Sequence, residues 1–389
     1  MTIKLYWESP YETTFSAKVK SIEENGIVLD QTLFYPESGN QLSDRGHLKI
    51  KKFKFTIDKV TKQGDDIIHH ITAPYKDKID IDDEVDGEID WQYRFGLMKA
   101  HSSQHIFSAV LKNKYDIDTI RANLNFEEVF LQMSQKVDAS QLKELFYDVN
   151  NICTTKSLNI NSKIVSREEA NKNAGKIRSN IPNEPQVRLM EIENLDVVCC
   201  GGTHVKATTE IGNLFIFDFR KGNEIRYYVG NKALSMGSSI NIDIISLIND
   251  LNTPVEKFRE NIIKRLDTLR TIQNQQKELS IKLVELISKS PFKIINSIPL
   301  FCIDFNVDIK IINKLLGLFP QDSLLVIEMG NNKIRLLSMS SKIDANELVQ
   351  KLINKYKGKG GGNSKSAQAE LEKLPESLLS EIEQFLISY

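Results

Sequence analysis

With 389 residues, 41% hydrophobic and 26% charged, the chain is long enough for roughly two to four domains, each burying its own core. A formal net charge of −1 supplies no global field for a polyanion, so any nucleic-acid surface must be a local patch. Four cysteines are too few for a disulfide framework, no apolar run approaches the roughly 20 residues that span a bilayer, and MTIKLYWESPYETTF lacks the order of a signal peptide. The expectation is a soluble, cytoplasmic protein with reduced thiols.

Residues 1–88 alternate short β-rich runs (FSAKVKSI, GIVLDQTLFY, HLKIKKFKFTIDKV, DIIHHITAP) with Gly/Asp/Asn punctuation, which predicts a small antiparallel barrel or sandwich. At Asp90, a candidate N-cap, the text becomes DWQYRFGLMKAHSSQHIFSAVLKNKY. Leu97, Ala100, His101, Gln104, His105 and Ser108 recur there at helical spacing. Strand-like IRANLNFEEVFLQMSQKV, a helix near DASQLKELFYDVNNIC, and strand-like VRLMEIENLDVVCC and NLFIFDFRKGNEIRYYVG follow, giving an α+β domain over 89–238.

Over 239–290 the pattern is helical. Val255, Ile262, Leu269, Gln276 and Leu283 repeat every seven residues, with Phe258, Arg265, Ile272, Leu279 and Leu286 three positions further on. This a/d heptad predicts a long coiled-coil-like helix, pairing within the chain or with a second copy as a homodimer. Residues 291–389 alternate strands (PLFCIDF, SLLVIEM, KIRLLSMS) with helices (DIKIINKLLGLF, DANELVQKLINKY). They form a compact α/β unit around the basic, glycine-rich KYKGKGGGNSKS, which by composition reads as a flexible charged loop.

Two motifs carry chemistry. His101 and His105, at i and i+4, present both imidazoles on one helix face and can bite a single ion. Alone, HxxxH more often describes two partly buried helix histidines with separate hydrogen-bond partners. The second motif, VCCGGTHV, contains the C-x3-H pair Cys200 and His204. Its two glycines let the backbone turn so that both side chains meet one centre. Strand alternation sends Cys199 to the opposite face, where it reads as a small hydrophobe. The combined His3Cys set, His101, His105, Cys200 and His204, suits one zinc ion per chain. Glu210 and Asp218 follow the motif but receive no role.

MKAHSSQHIFSAV together with CCGGTHVKATTEIGN resembles the editing domain of alanyl-tRNA synthetases and of their free-standing relatives, the AlaX proteins. LFYPESGNQLSDRG resembles the barrel signature that precedes this domain, and GKGGGNSKSAQAE resembles the C-terminal DHHA1 domain. Asn40 departs from the pattern, standing where the family usually has a glycine before the glutamine; Asn tolerates left-handed dihedrals better than most residues. The barrel signature arrives almost at once, leaving no room upstream for an aminoacylation domain. Asn363 occupies the second-glycine position of a phosphate loop begun at Gly358, so GKGGGNSK is not a nucleotide-binding loop. The resemblance is therefore to the long free-standing editor.

That resemblance implies an α+β fold of four parts: a small β-barrel (1–88), a zinc-containing α/β editing domain (89–238), coiled-coil-like helices (239–290) and a DHHA1-like α/β domain (291–389). It implies an aminoacyl-tRNA deacylase that hydrolyses the ester on mischarged tRNA(Ala), mainly Ser-tRNA(Ala) and sometimes Gly-tRNA(Ala). Such a step is needed because a pocket for a methyl group rejects a hydroxyl-bearing isostere only about a hundredfold. Four ligands close a zinc tetrahedron, so the ion either opens one position or orders the pocket. Gly201, Gly202 and Thr203 are the candidate substrate contacts, with Thr203 and Gln104 the candidate catalytic residues. Lys357, Lys359 and Lys365, flanking Gly360, Gly361 and Gly362, are the candidate tRNA contacts, since exposed amides and ammonium groups can meet phosphates together. Two other readings remain: a non-catalytic tRNA-binding module with a structural zinc, and an editor of the threonine class.

Overall fold

The structure is a computed structural model and describes residues 1–387. Its contacts divide the chain into two compact units, 1–247 and 248–389, each described by itself.

The first unit opens with a two-residue strand β1 (Ile3–Lys4) and one helical turn α1 (Leu5–Glu8). A barrel follows: β2 (Thr14–Ile22), β3 (Gly26–Leu29), the short β4 (Gln31–Thr32) beside β1, β5 (Gly46–Ile50), β6 (Phe53–Gln63), β7 (Asp66–Ile71) and β8 (Glu84–Ile89). It closes in the order β2-β3-β7-β6-β5-β8, so of the two all-β forms the sequence allowed, the barrel is realised. Alternation drives closure: Ala17 and Val19, Leu48 and Ile50, Phe55 and Ile57, and Val85 and Ile89 all point inward into one apolar core.

Helix α2 (Trp91–Tyr115) begins where expected, with the Asp90 carboxylate accepting from the Tyr93 amide at 3.1 Å. It ends on Asp116, in the left-handed region at φ 52°. From Leu97 to Leu111 every residue except Lys99 and Gln104 is buried, which is the mark of a helix enclosed on all sides. Met98, Ile106, Phe107, Val110 and Leu111 pack on a four-stranded sheet, and α3 (Ala139–Thr154) shares that core. The sheet runs β14-β15-β10-β9, from β9 (Thr119–Asn125), β10 (Glu128–Met133), β14 (Leu214–Arg220) and β15 (Glu224–Val229). A three-stranded sheet, β11 (Ile160–Ser166), β12 (Gln186–Ile192) and β13 (Asp196–Cys199), carries the short helix α4 (Arg167–Lys172).

Barrel and helix are stapled together inside the protein. Arg94 on α2 and Asp44 on the barrel loop are both fully buried and form an ion pair, with Arg94 Nε donating to Asp44 Oδ1 at 2.8 Å. Arg94 also donates to Pro10 O, and Asp44 accepts from the Tyr35 amide, so both charges are fully hydrogen-bonded.

Helix α5 (Gly230–Asp250) starts inside the stretch read from sequence as the last part of the α+β domain. In the second unit α6 (Phe258–Ile287) realises the heptad segment as one helix. Its Leu266, Leu269, Ile272, Leu279 and Leu286 are exposed, and only Ser280 and Val284 are buried. A six-stranded sheet follows, ordered β16-β17-β18-β19-β21-β20: β16 (Lys293–Ile295), β17 (Ile298–Ile303), β18 (Leu324–Glu328), β19 (Lys333–Ser338), β20 (Gly358–Gly362) and β21 (Ser366–Leu371). It packs with α7 (Ile309–Leu315), α8 (Ala345–Tyr356) and α9 (Leu378–Ile387).

The glycine-rich tail is therefore not a loop but an edge strand, which corrects the reading from composition. The reason is steric. A Cβ on Gly358, Gly360 or Gly362 would lie 2.2–2.3 Å from a carbonyl oxygen of β21, so alternate glycines let the strands approach.

Candidate metal centre and editing site

The ring of His101 sits one turn before that of His105 on α2, their centroids 4.9 Å apart. The CGGTH turn leaves β13 and brings Cys200 and His204 against them. All four ligand atoms lie within 4.8 Å of one another. Cys200 Sγ is 3.4 Å from His101 Nε2 and 3.3 Å from His204 Nε2. Metal–ligand bonds of about 2.0–2.3 Å place the corners of a tetrahedron about 3.3–3.7 Å apart, so this spacing fits one ion. His105 makes the same point differently: both its ring nitrogens are buried without a hydrogen-bond partner among the described residues. An orphaned buried polar group costs about 1–3 kcal/mol unless something coordinates it.

The lone pairs are aimed from outside the cluster. The Thr203 amide can only donate, so the Gln41 side-chain atom 3.2 Å from it is the carbonyl oxygen Oε1. His101 Nδ1 lies 2.7 Å from the same oxygen and therefore carries its proton, leaving Nε2 bare toward the sulfur. Gln41 Nε2 in turn donates to Thr203 Oγ1 at 2.9 Å. On the other side, Ser102 Oγ accepts from the Val205 amide and meets His204 Nδ1 at 3.1 Å. Burial pulls all three imidazoles well below their usual pKa, which keeps them neutral and able to coordinate. Burial pushes the Cys200 thiol up, while the Gly202 amide and the Arg188 charge oppose that shift.

The ligand turn is held at each carbonyl. Arg188 on β12, itself buried, donates through Nη1 to Cys200 O at 3.0 Å and Gly202 O at 2.8 Å. Trp7 on α1 donates its indole N–H to Gly201 O at 2.8 Å. Gly202 has no room for a side chain, since a Cβ there would sit 2.3–2.4 Å from the His101 ring and 2.9 Å from Gln41 Oε1. Gly201 is open, its nearest neighbour Trp7 Cζ2 at 3.8 Å.

The structure thus brings His101, His105, Cys200 and His204 together with Gly202 and Thr203. Thr203 is fully buried between Gln41 and the histidines. Gln104 is half-buried and donates to Ser108 Oγ at 2.9 Å, outside the cluster. Cys199 faces the apolar cluster of Val165, Val187 and Leu189, as alternation required. Glu210 accepts from Tyr11 and Asp218 pairs with Arg220, which gives both carboxylates structural work. Lys357, Lys359, Gly360, Gly361, Gly362 and Lys365 belong to the second unit, on and beside β20.

Comparison with known proteins meets this geometry from three directions. Residues 6–93 match the family "tRNA synthetases class II (A)". Residues 187–227, which include the ligand turn, match the "Threonyl and Alanyl tRNA synthetase second additional domain", and residues 306–388 match the DHHA1 domain. The alanyl-tRNA editing protein AlaX-L of Pyrococcus horikoshii is 28% identical, the match covering 97% of this chain and 96% of that protein. The chain is thus similar to an AlaX protein over nearly its whole length. Alanine–tRNA ligases of Sulfurisphaera tokodaii (27% identical) and Aeropyrum pernix (23%) also match 98% and 95% of it, but it spans only 44% and 43% of their lengths.

Three residues of this site escaped the sequence reading: Gln41, Arg188 and Trp7. Gln41 had a usable signal, since it directly follows the Gly39–Asn40 turn of the barrel signature. Arg188 and Trp7 are single residues in ordinary strand and turn contexts and carried none.

Proposed function

We propose that this chain is a trans-editing aminoacyl-tRNA deacylase that removes serine, and secondarily glycine, from mischarged tRNA(Ala) at a zinc ion held by His101, His105, Cys200 and His204. The observation that carries the reading is the convergence of HxxxH and CxxxH, about a hundred residues apart in sequence, on one point in a chain similar to AlaX-L over nearly its full length. Three neutral imidazoles and a thiol are a donor set suited to zinc. When bound, the ion supplies positive charge to polarise an ester carbonyl or a water.

The chain's own residues supply the rest. With Gln41 Nε2 donating to its oxygen, Thr203 Oγ1 keeps its proton for a substrate oxygen. Gly201 and Gly202 bring backbone next to the ligand set without side-chain bulk, and Gln104 keeps its carbonyl oxygen for a polar substrate group. Water adds to the ester carbonyl, the bond to the ribose oxygen breaks, and the free amino acid and the ribose hydroxyl leave.

The body of the tRNA is assigned to the second unit. There the outer edge of β20 and Lys357, Lys359 and Lys365 form an exposed strip. Among described residues Lys359 has only a loose ion pair, with Glu370 at 3.8 Å, leaving charge for phosphates. The exposed apolar stripe of α6 is assigned to a second copy of this chain, with sedimentation as the test.

Similarity to AlaX-L across the chain favours alanine tRNA over the threonine class, although the matching editing family spans both. The deciding experiment is turnover of Ser-, Gly- and Thr-charged tRNAs by the metal-loaded protein. Ser-tRNA(Ala) should be hydrolysed fastest; hydrolysis no faster than the spontaneous rate would end the proposal.

A further inference from the structure

The four-stranded sheet β14-β15-β10-β9 packs one face on α2 and α3, and its other face is open over the middle rows, where Asn123, Phe217 and Arg226 are exposed. Strand alternation decides which residues stand there. Leu124, Val129, Leu131, Ile225 and Tyr227 go into the core, so Arg121, Asn123, Phe130, Arg226 and Tyr228 point away from it. On β14 a bulge between Ile216 and Asp218 turns Phe217 outward as well.

The first property of this face is aromatic. The Phe217 and Tyr228 rings stack with centroids 4.1 Å apart and planes 16° apart, and the Lys232 ammonium lies 4.0 Å from the Tyr228 centroid. Phe130 stands opposite Arg226, whose guanidinium carbon is 5.3 Å from its ring. Exposed apolar residues scattered singly are ordinary, but three rings with cations over them on one sheet face are a patch.

The second property is charge. Asp218, Glu128 and Glu224 are each held by another cation: Arg220 at 3.0 Å, Lys232 at 3.0 Å and Lys221 at 2.7 Å. Arg226 is left with only a loose pair to Asp218 at 4.0 Å, and Arg121 has no ion pair among the described residues. The neighbours of Phe130 on this face, Asn123 across on β9 and Gln132 two residues on, are amides. Amides suit base edges better than they suit the apolar centre of a protein interface.

We propose that this face binds unpaired nucleotides of an RNA. Bases stack on Phe217 and Phe130, Asn123 and Gln132 meet base edges, and Arg226 and Arg121 meet phosphates. The choice of an RNA rests on the deacylase reading, which makes one the substrate. The sheet lies between this face and the histidines of α2, so the face grips a part of the RNA remote from the ester. Aromatic side chains on the two central strands of a four-stranded sheet, here Tyr228 and Phe130, are a recurrent platform for single-stranded RNA. Every base has a π-face, so such a platform accepts many sequences.

The test uses the metal-loaded full chain carrying Lys357→Gln, Lys359→Gln and Lys365→Gln, so that the strip on the second unit does not mask the sheet. A short uridine-rich RNA containing thiouridine is the probe. Photocrosslinks mapped by mass spectrometry should fall on β10, β14 and β15. Adding Phe217→Leu and Phe130→Leu, which keep apolar bulk but cannot stack, should weaken binding roughly 5- to 100-fold. Adding Arg121→Gln and Arg226→Gln should lower the salt slope by about 1–2. Crosslinks confined to other surfaces would overturn the proposal, as would unchanged affinity on adding Phe217→Leu. So would protection of β10 and β15 from hydrogen exchange that grows with protein concentration and ignores RNA, because a second copy would then cover the face. If Phe130→Leu does not fold, Phe217→Leu on the exposed bulge still decides. RNA held on the sheet by a protein that hydrolyses no aminoacyl ester would remove the deacylase reading and leave the face standing; hydrolysis with crosslinks only elsewhere would do the reverse.

Discussion

Gln41 Oε1 lies 2.7 Å from His101 Nδ1, so a residue of the barrel sets which nitrogen a helix histidine presents to the cluster. Its partner bonds to Thr203 place one amide between a candidate metal ligand and a candidate catalytic residue. Gln41→Leu should therefore weaken zinc binding about 10- to 100-fold, in the range found when an outer-sphere partner is lost. Competition with a chelator of known affinity measures it. Unchanged affinity would show that the tautomer is set elsewhere.

Cys200→Ala removes the only thiol in the ligand set. Zinc content by mass spectrometry should fall well below one per chain, and deacylation of Ser-tRNA(Ala) should fall with it. Cys199→Ala should leave zinc content unchanged, since Cys199 faces the apolar cluster of the three-stranded sheet.

The two glycines of the turn should behave oppositely. Gly202→Ala drives a methyl group against the His101 ring and should cost metal and activity at least tenfold, because ring and turn cannot both stay. Gly201→Ala meets only Trp7 at ordinary contact distance and should keep its zinc. Equal zinc occupancy in the two variants would contradict this geometry.

His69 supplies a pH signature away from the metal. Its ring is fully buried, with Nδ1 3.3 Å from Ile27 O and Nε2 2.8 Å from Thr32 Oγ1. Burial lowers its pKa from 6.5 to about 4. Between these values the unfolded chain takes up a proton that the folded chain refuses. Stability is therefore flat above about pH 6.5 and falls as pH drops toward 4, by at most ~3 kcal/mol in all. Urea titrations of wild type and His69→Gln across this window should differ in slope by up to about 1.4 kcal/mol per pH unit. Parallel profiles would rule out His69 as the source.

In the second unit, replacing Lys357, Lys359 and Lys365 together by Gln should lower the salt slope of tRNA binding by roughly 2–3. An unchanged slope would move the phosphate contacts off the β20 edge.

The sequence reveals the cluster of His101, His105, Cys200 and His204 because few residue types coordinate metals and their spacing follows from helix and turn geometry. It also anticipates the oddest residue of the barrel loop: Asn40, in place of glycine, adopts φ 66°, the left-handed region that asparagine tolerates. Its carbonyl accepts from the Leu124 amide, docking the loop on β9. What stays hidden is whatever depends on a distant partner. Gln41 and Arg188 look like ordinary polar residues until the barrel and β12 close on the ligand turn. The tail misleads for a related reason: glycines that signal flexibility in isolation serve close strand approach once β21 lies beside them.

The Arg94–Asp44 pair has a consequence for engineering. The matching families assign the barrel and the ligand turn to separate models, which invites treating them as interchangeable cassettes. They are not. A foreign barrel lacking an acid at position 44 would strand a guanidinium in an apolar interior, at a cost of about 3–5 kcal/mol. Chimeras across this joint should fail at folding, before catalysis is ever tested, unless loop and helix are transplanted as one piece.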